Sequence, residues 1–134
     1  MDAGQRRGLL DTSVVIDLPT VPVERLPDEL AISTVTLAEL AAGPHASGVP
    51  AERAARQQRL QWAEATFDPL PFDAAAARSY GQVYALVRAA GRQPRRRFAD
   101  LQIASIAVAN GLPLLTRNPA DFSGLESILT VVGI

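Results

Sequence analysis

Residues 8–17 read GLLDTSVVID. Two leucines lead into an acid, two hydroxyl residues follow, and then come three β-branched positions. The pattern predicts a buried strand, Gly8 to Asp11, that turns directly into a helix capped by Thr12 or Ser13 and stopping before Pro19. The same grammar recurs downstream. Ala31 to Ser33 reads as a second strand. It leads into a helix capped by Thr34 or Thr36, running through Leu37, Leu40 and Ala41 and closed by Gly43-Pro44. Leu112 to Thr116 and Ile128 to Val132 read as two further strands. These runs are apolar throughout instead of alternating, as strands covered on both faces are. The expectation is an α/β fold, a three-layer sandwich with a central, mostly parallel sheet of 4–5 strands flanked by helices. In such sheets ligands bind beyond the carboxyl ends of the strands.

Helices fill the remainder. Ala51 to Phe67 is rich in helix formers, with Arg53, Arg56 and Arg59 on one side and Leu60, Trp62 and Ala63 on another, so Trp62 is expected in the core. Asp73 is positioned to cap a long helix through Tyr80, Val83, Tyr84 and Val87, ending at Gly91. Tyr80 and Tyr84, one turn apart, suit either core packing or a dimer interface. Arg92 to Arg97 forms a basic loop. Phe98 to Asn110 is the last helix, with Asn110-Gly111 as its carboxyl cap.

Composition narrows the chemistry. The chain has 134 residues, a length that suits one domain over 1–134. Its net charge of -1 excludes a uniformly basic coat, though not a local basic patch. There is no cysteine, so neither a disulfide nor a thiolate site exists. A single histidine, His45 in a Gly/Pro loop, rules out a histidine zinc cluster within one chain. All 13 basic residues are arginine, which removes the P-loop and Schiff-base lysines. No apolar run approaches the roughly 18 residues of a membrane span, and the polar start resembles no signal sequence. A cytoplasmic location is expected.

The informative residues are carboxylates in expensive places. Asp11 ends the first buried strand. Glu39 lies within TVTLAELAAG, among Val35, Leu40 and Ala42. Asp100 heads a helical stripe that continues through Ile103, Ala104 and Ala107 and should face the core. Thr116, Arg117, Asn118 and Asp121 form a polar cluster after another strand. Each has a plain structural alternative: a helix cap for Asp11, a solvated face for Glu39, a dipole-stabilising first-turn acid for Asp100, a turn for the last cluster. Taken together, they put three or four oxygen ligands at one sheet edge. Clustered carboxylates repel unless neutralised. Without Cys and with one His, the neutraliser is a hard cation, Mg²⁺ or Mn²⁺. A receiver domain would need a lysine. A haloacid-dehalogenase-like phosphatase would need an acid where Ser13 stands.

Four blocks, LLDTSVVID, VTLAEL, FADLQIASIA and LLTRNPADF, resemble the motif blocks of PIN-domain ribonucleases. Within these the chain is similar to VapC-type toxins of bacterial toxin–antitoxin pairs, over nearly its whole length. By that resemblance Asp11, Glu39 and Asp100 match the metal-binding acids. Thr12 or Ser13 matches the hydroxyl after the first acid, and Thr116 the hydroxyl of the last block. The fourth position falls on Asn118 by spacing or Asp121 by charge. The resemblance implies Mg²⁺- or Mn²⁺-dependent endonucleolytic cleavage of RNA, tRNA or rRNA, with homodimerisation and neutralisation by a small VapB-type antitoxin. Arg95, Arg96, Arg97 and Arg117 suit an anionic backbone. The rival expectation is a metal- or protein-binding PIN-like module with weak catalysis.

Overall fold

The computed structural model describes residues 7–134. Four strands, β1 (Arg7–Leu10), β2 (Glu29–Ala31), β3 (Leu114–Thr116) and β4 (Val131–Gly133), form one sheet in the order β2-β1-β3-β4. Every pairing is parallel. Five helices connect them: α1 (Thr12–Asp17), α2 (Thr34–Ala42), α3 (Pro50–Thr66), α4 (Ala74–Ala89) and α5 (Phe98–Asn110).

Strand alternation divides the core. Successive side chains of a strand point to opposite faces. Leu9 and Leu114 therefore join Ile103, Ala104, Ile106 and Ala107 of α5 and Val83 and Val87 of α4. Leu10 and Leu115 join Val14 and Val15 of α1, Leu40 of α2 and Ala63 of α3 on the other side. This is the expected three-layer arrangement. Each fully buried Leu contributes about 1.5–3 kcal/mol. The sheet needs both helical layers, because neither leucine face tolerates water.

Local details depart from the sequence reading by a residue or two. The cap of α1 is Asp11 itself, whose carboxylate accepts the Thr12 N–H at 2.9 Å. Asp11 is the last extended residue (φ -64°, ψ 154°), so neither Thr12 nor Ser13 caps. Likewise Ser33, not Thr34 or Thr36, caps α2, accepting the Thr36 N–H at 3.0 Å. The second strand ends at Ala31, and Ser33 instead forms an isolated parallel bridge with Leu70. The last strand starts at Val131, because Ile128 and Leu129 close a turn onto the Leu125 carbonyl. Trp62 is 43% exposed, packed edge-on against Phe67 at 5.5 Å. Ala63 alone is buried on α3, which leaves its neighbour on the flank of the helix. Asp73 caps α4 as expected, accepting from Ala76 N–H, and Gly111 ends α5 in the left-handed conformation (φ 64°). Residues Pro94–Arg97 of the basic loop wind into a 3-10 turn.

Candidate active site

The strand order fixes where a site can be. From β1 the chain moves outward to β2, and later returns to β3 on the other side. The seam between β1 and β3 is thus the point where direction reverses, and a crevice opens at its carboxyl end. Asp11 leaves β1 there and Thr116 ends β3 there.

Asp11 is 6% exposed and fully engaged. Its Oδ1 accepts the Thr12 N–H at 2.9 Å. Its Oδ2 accepts two hydroxyls, Ser13 at 2.9 Å and Thr116 at 2.8 Å. Three donors hold an ionised carboxylate without neutralising it. The hydroxyls are held in turn: Asn118 N–H donates to Thr116 Oγ1 at 3.0 Å, and Arg117 N–H donates to Ser13 Oγ at 3.2 Å.

A second hydroxyl chain reaches Glu39. Thr12 Oγ1 donates to Glu39 Oε1 at 2.6 Å, so its lone pairs face Thr36 Oγ1 at 3.0 Å. Ser33 Oγ donates onward to Thr36 at 3.4 Å. Ser33 and Thr36 are completely buried. From sequence, Thr36 is expected only as a cap and Ser33 only as a strand end. The available signal was the S-x-x-T spacing, which puts two hydroxyls in one place between apolar neighbours.

Asp100 lies in the first turn of α5, with Ile103, Ala104 and Ala107 below it fully buried, as the stripe required. Its carboxyl is pushed up from an ordinary 3.8 to about 6. Burial is the largest cause, followed by the negative charges of Asp11, Asp121 and Glu39, with Arg97 opposing them. Four acids from the ends of β1, α2, α5 and the turn after β3 therefore share one electrostatic neighbourhood. Asp121, in the 3-10 turn Pro119–Phe122, belongs to it, whereas Asn118 contributes a backbone N–H to Thr116. Arg97 Nη1 lies 2.8 Å from Asp121 Oδ1 and 3.7 Å from Asp100 Oδ2. Arg117 pairs with Asp17 at 3.4 Å, while Arg95 and Arg96 are exposed on the rim. His45 is exposed in the turn after α2, away from these groups.

The donor set suits a hard divalent cation: it is all oxygen and acid-rich, and Asp100 within it is held above the usual carboxylate range by burial first and then by the neighbouring acids. Among the described residues, however, no three acids already converge into a closed ion cage. Asp100 and Asp121 are drawn instead to the Arg97 guanidinium.

A parallel sheet carrying this acid set at its switch point defines a class, and the PIN domain family matches residues 8–125. The chain belongs to the PIN-domain family. It is 35% identical to Ribonuclease VapC5 of Mycobacterium tuberculosis over 127 residues, covering 92% of this chain and 91% of that one. It is 32% identical to VapC ribonuclease Y4jK of Sinorhizobium fredii, covering 90% and 94%. Among solved structures, VapBC-5 of M. tuberculosis, described as a member of the VapBC family of toxin-antitoxin systems, superposes with a TM-score of 0.82. The identity there is 31%, over 96% of this chain and 99% of that one. The three-layer fold and the family resemblance expected from sequence are both borne out. Among the described residues no helix is long and apolar enough to cross a membrane.

Proposed function

We propose that this chain is a divalent-metal-dependent endoribonuclease, the toxin of a toxin–antitoxin pair, acting in the cytoplasm on structured RNA such as tRNA or rRNA. What carries this reading is placement: Thr12 links Asp11 to Glu39, Thr116 braces Asp11 from β3, and Arg97 bridges Asp100 and Asp121, all at the carboxyl edge of the sheet. The VapC ribonucleases it resembles support the same reading. In this proposal residues 1–134 act as one domain, a VapB-type antitoxin neutralises it, and two copies form a homodimer.

Asp11, Glu39 and Asp100 would hold Mg²⁺ or Mn²⁺, with Asp121 favoured over Asn118 as the fourth group because only Asp121 adds negative charge there. A bound ion would supply Lewis acidity toward the phosphodiester and toward the attacking water. Thr12, Ser13 and Thr116 fix the orientation of Asp11 and Glu39. Arg95, Arg96, Arg97 and Arg117 rim the site and favour a polyanion. With 5% aromatic residues, binding rests on shape and backbone charge more than on extended stacking.

Incubating structured RNA with Mn²⁺ or Mg²⁺, and with excess EDTA, tests the assignment. Cleavage that survives chelation refutes it. The second reading, a catalytically weak PIN-like binding module, draws on the lack of a closed acid cage among the described residues. It requires that the wild type cut no faster than Asp11→Asn under any divalent ion.

A further inference from the structure

Arg97 is the rim arginine that holds two of the site's acids. A substrate-gripping arginine should point at the substrate, yet this one points at the acids. Its Nη1 bridges Asp121 Oδ1 at 2.8 Å and Asp100 Oδ2 at 3.7 Å. Beside it lies a cavity of about 290 Å³ between the end of α4, the 92–97 loop, α5 and the turn that carries Asp121. Arg92, Arg96 and Arg97 line it, with Leu101 as an apolar wall and Asp121 as its acid. Arg92 is tied down, donating from Nη1 to the Ala120 carbonyl at 2.9 Å and toward the Ser123 carbonyl at 3.4 Å. Arg96 has no ion pair among the described residues and is exposed. Arg97 is 42% exposed, and among the described residues its ion-pair partners are the two carboxylates.

The geometry points to Arg97 as an exchangeable counter-ion. Its guanidinium sits on Asp100 and Asp121; a divalent cation taking those carboxylates frees it toward the adjoining cavity, whose wall it already forms, where with Arg96 it completes a subsite for a phosphate group. Two physical facts drive the exchange. The guanidinium is held at 2.8 Å from Asp121 and 3.7 Å from Asp100 on a stem 42% exposed, and ion pairs open to solvent in this way contribute only about 0–1 kcal/mol each. A divalent ion brings twice the charge to the same carboxylates, at about 2.1 Å from their oxygens, and so competes with the guanidinium for them. Released, Arg97 has the cavity as its nearest room, and there it adds a free positive charge to those of Arg92 and Arg96. Cation loading and anion binding are thereby coupled through one side chain. Identification of the anion as an RNA phosphate rests on the ribonuclease reading; the exchange itself does not.

The test uses the intact protein, with Mg²⁺ alone and with a heparin hexasaccharide as a polyanion that no nuclease can cut. Nuclear magnetic resonance of the arginine Nε–Hε groups should show the Arg97 signal moving from a paired to a free position on Mg²⁺ addition, with Arg92 unmoved. Calorimetry should find Mg²⁺ bound about fivefold more tightly by Arg97→Gln than by wild type, and unchanged in Arg96→Gln. Heparin affinity without metal should fall in Arg96→Gln but not in Arg97→Gln; with Mg²⁺ it should fall in both. An Arg97 signal that stays paired at saturating Mg²⁺ overturns the proposal, as does equal heparin loss in Arg97→Gln with and without metal. Absence of Mg²⁺ uptake in every variant overturns both this exchange and the metal centre. Uptake with no Arg97 response overturns the exchange alone.

Discussion

The two ends of the sheet differ in kind. The amino ends of the strands open on the larger cavity, about 700 Å³, lined by Pro27, Gly111, Leu112, Pro113, Leu129 and Thr130 among others. The carboxyl ends carry a smaller recess of about 290 Å³, with Arg97 and Asp121 on its wall. Size would send a ligand to the amino end. Chemistry sends it to the other: four interacting acids, two hydroxyl chains and the arginine rim all lie where the strands finish. The difference follows from direction. A parallel sheet turns each strand's exit into a helix start, where a short polar side chain is needed to satisfy free N–H groups. Its entries follow Pro- and Gly-containing turns with no such demand. The larger volume has Glu24, Arg25 and Asp28 on its wall without a converging acid set; the smaller adjoins the place where the acids are collected.

Four perturbations probe that contrast. The largest effect belongs to Asp11→Asn, which keeps the shape and removes the charge at the seam: RNA cleavage should fall by more than about 100-fold, exceeding the loss expected for a supporting residue. Cleavage equal to wild type would show that the acid end is ornamental. Next is Thr116→Val, which deletes one hydroxyl donor to Asp11 within a buried site. About a tenfold drop in turnover or in Mg²⁺ affinity is expected, together with a free-energy loss of about 1–3 kcal/mol in urea unfolding.

Asp100→Asn yields a stability effect of opposite sign. Because the folded chain holds the Asp100 proton up to about pH 6 while the unfolded chain releases it near 3.8, metal-free wild type loses stability as pH rises through that window. The variant escapes this loss. In EDTA it should be more stable than wild type by about 1–2 kcal/mol at pH 7.5, after discounting for the part of the group that remains solvated, and equal to it below pH 4. A gain that persists at pH 3.5 would point to packing instead of charge. The smallest effect is expected at the amino end. Val132→Thr, at the wall of the larger cavity, should change cleavage by less than about twofold, since a half-exposed surface change alters stability by only about 0.5 kcal/mol. A substantial loss there would return the larger cavity to consideration.

The acids were readable because each stood out from its company. Asp11 between Leu10 and Val14, and Asp100 above Ile103 and Ala107, are charges in stretches otherwise built for burial. Continuous apolar strand runs likewise announced a sheet covered on both sides. What stayed hidden depends on tertiary context. The Ser33–Thr36–Thr12–Glu39 chain joins two helices that no local window sees together. Trp62 looks like core by residue type, but α3 buries only one narrow edge, and its position on that helix lies beside the edge. Spacing favours Asn118 and charge favours Asp121 as the fourth group; what sequence spacing does not carry is the 3-10 turn Pro119–Phe122, which brings the Asp121 carboxylate toward Asp100.

The bond between Thr116 and Asp11 spans 105 positions of sequence. A growing polypeptide that has reached only residue 110 already contains Asp11, Glu39 and Asp100, yet lacks β3, the hydroxyl that steadies the first acid, and Asp121. The acids supplied earlier in the chain therefore stand without their hydroxyl brace until β3 has paired with β1.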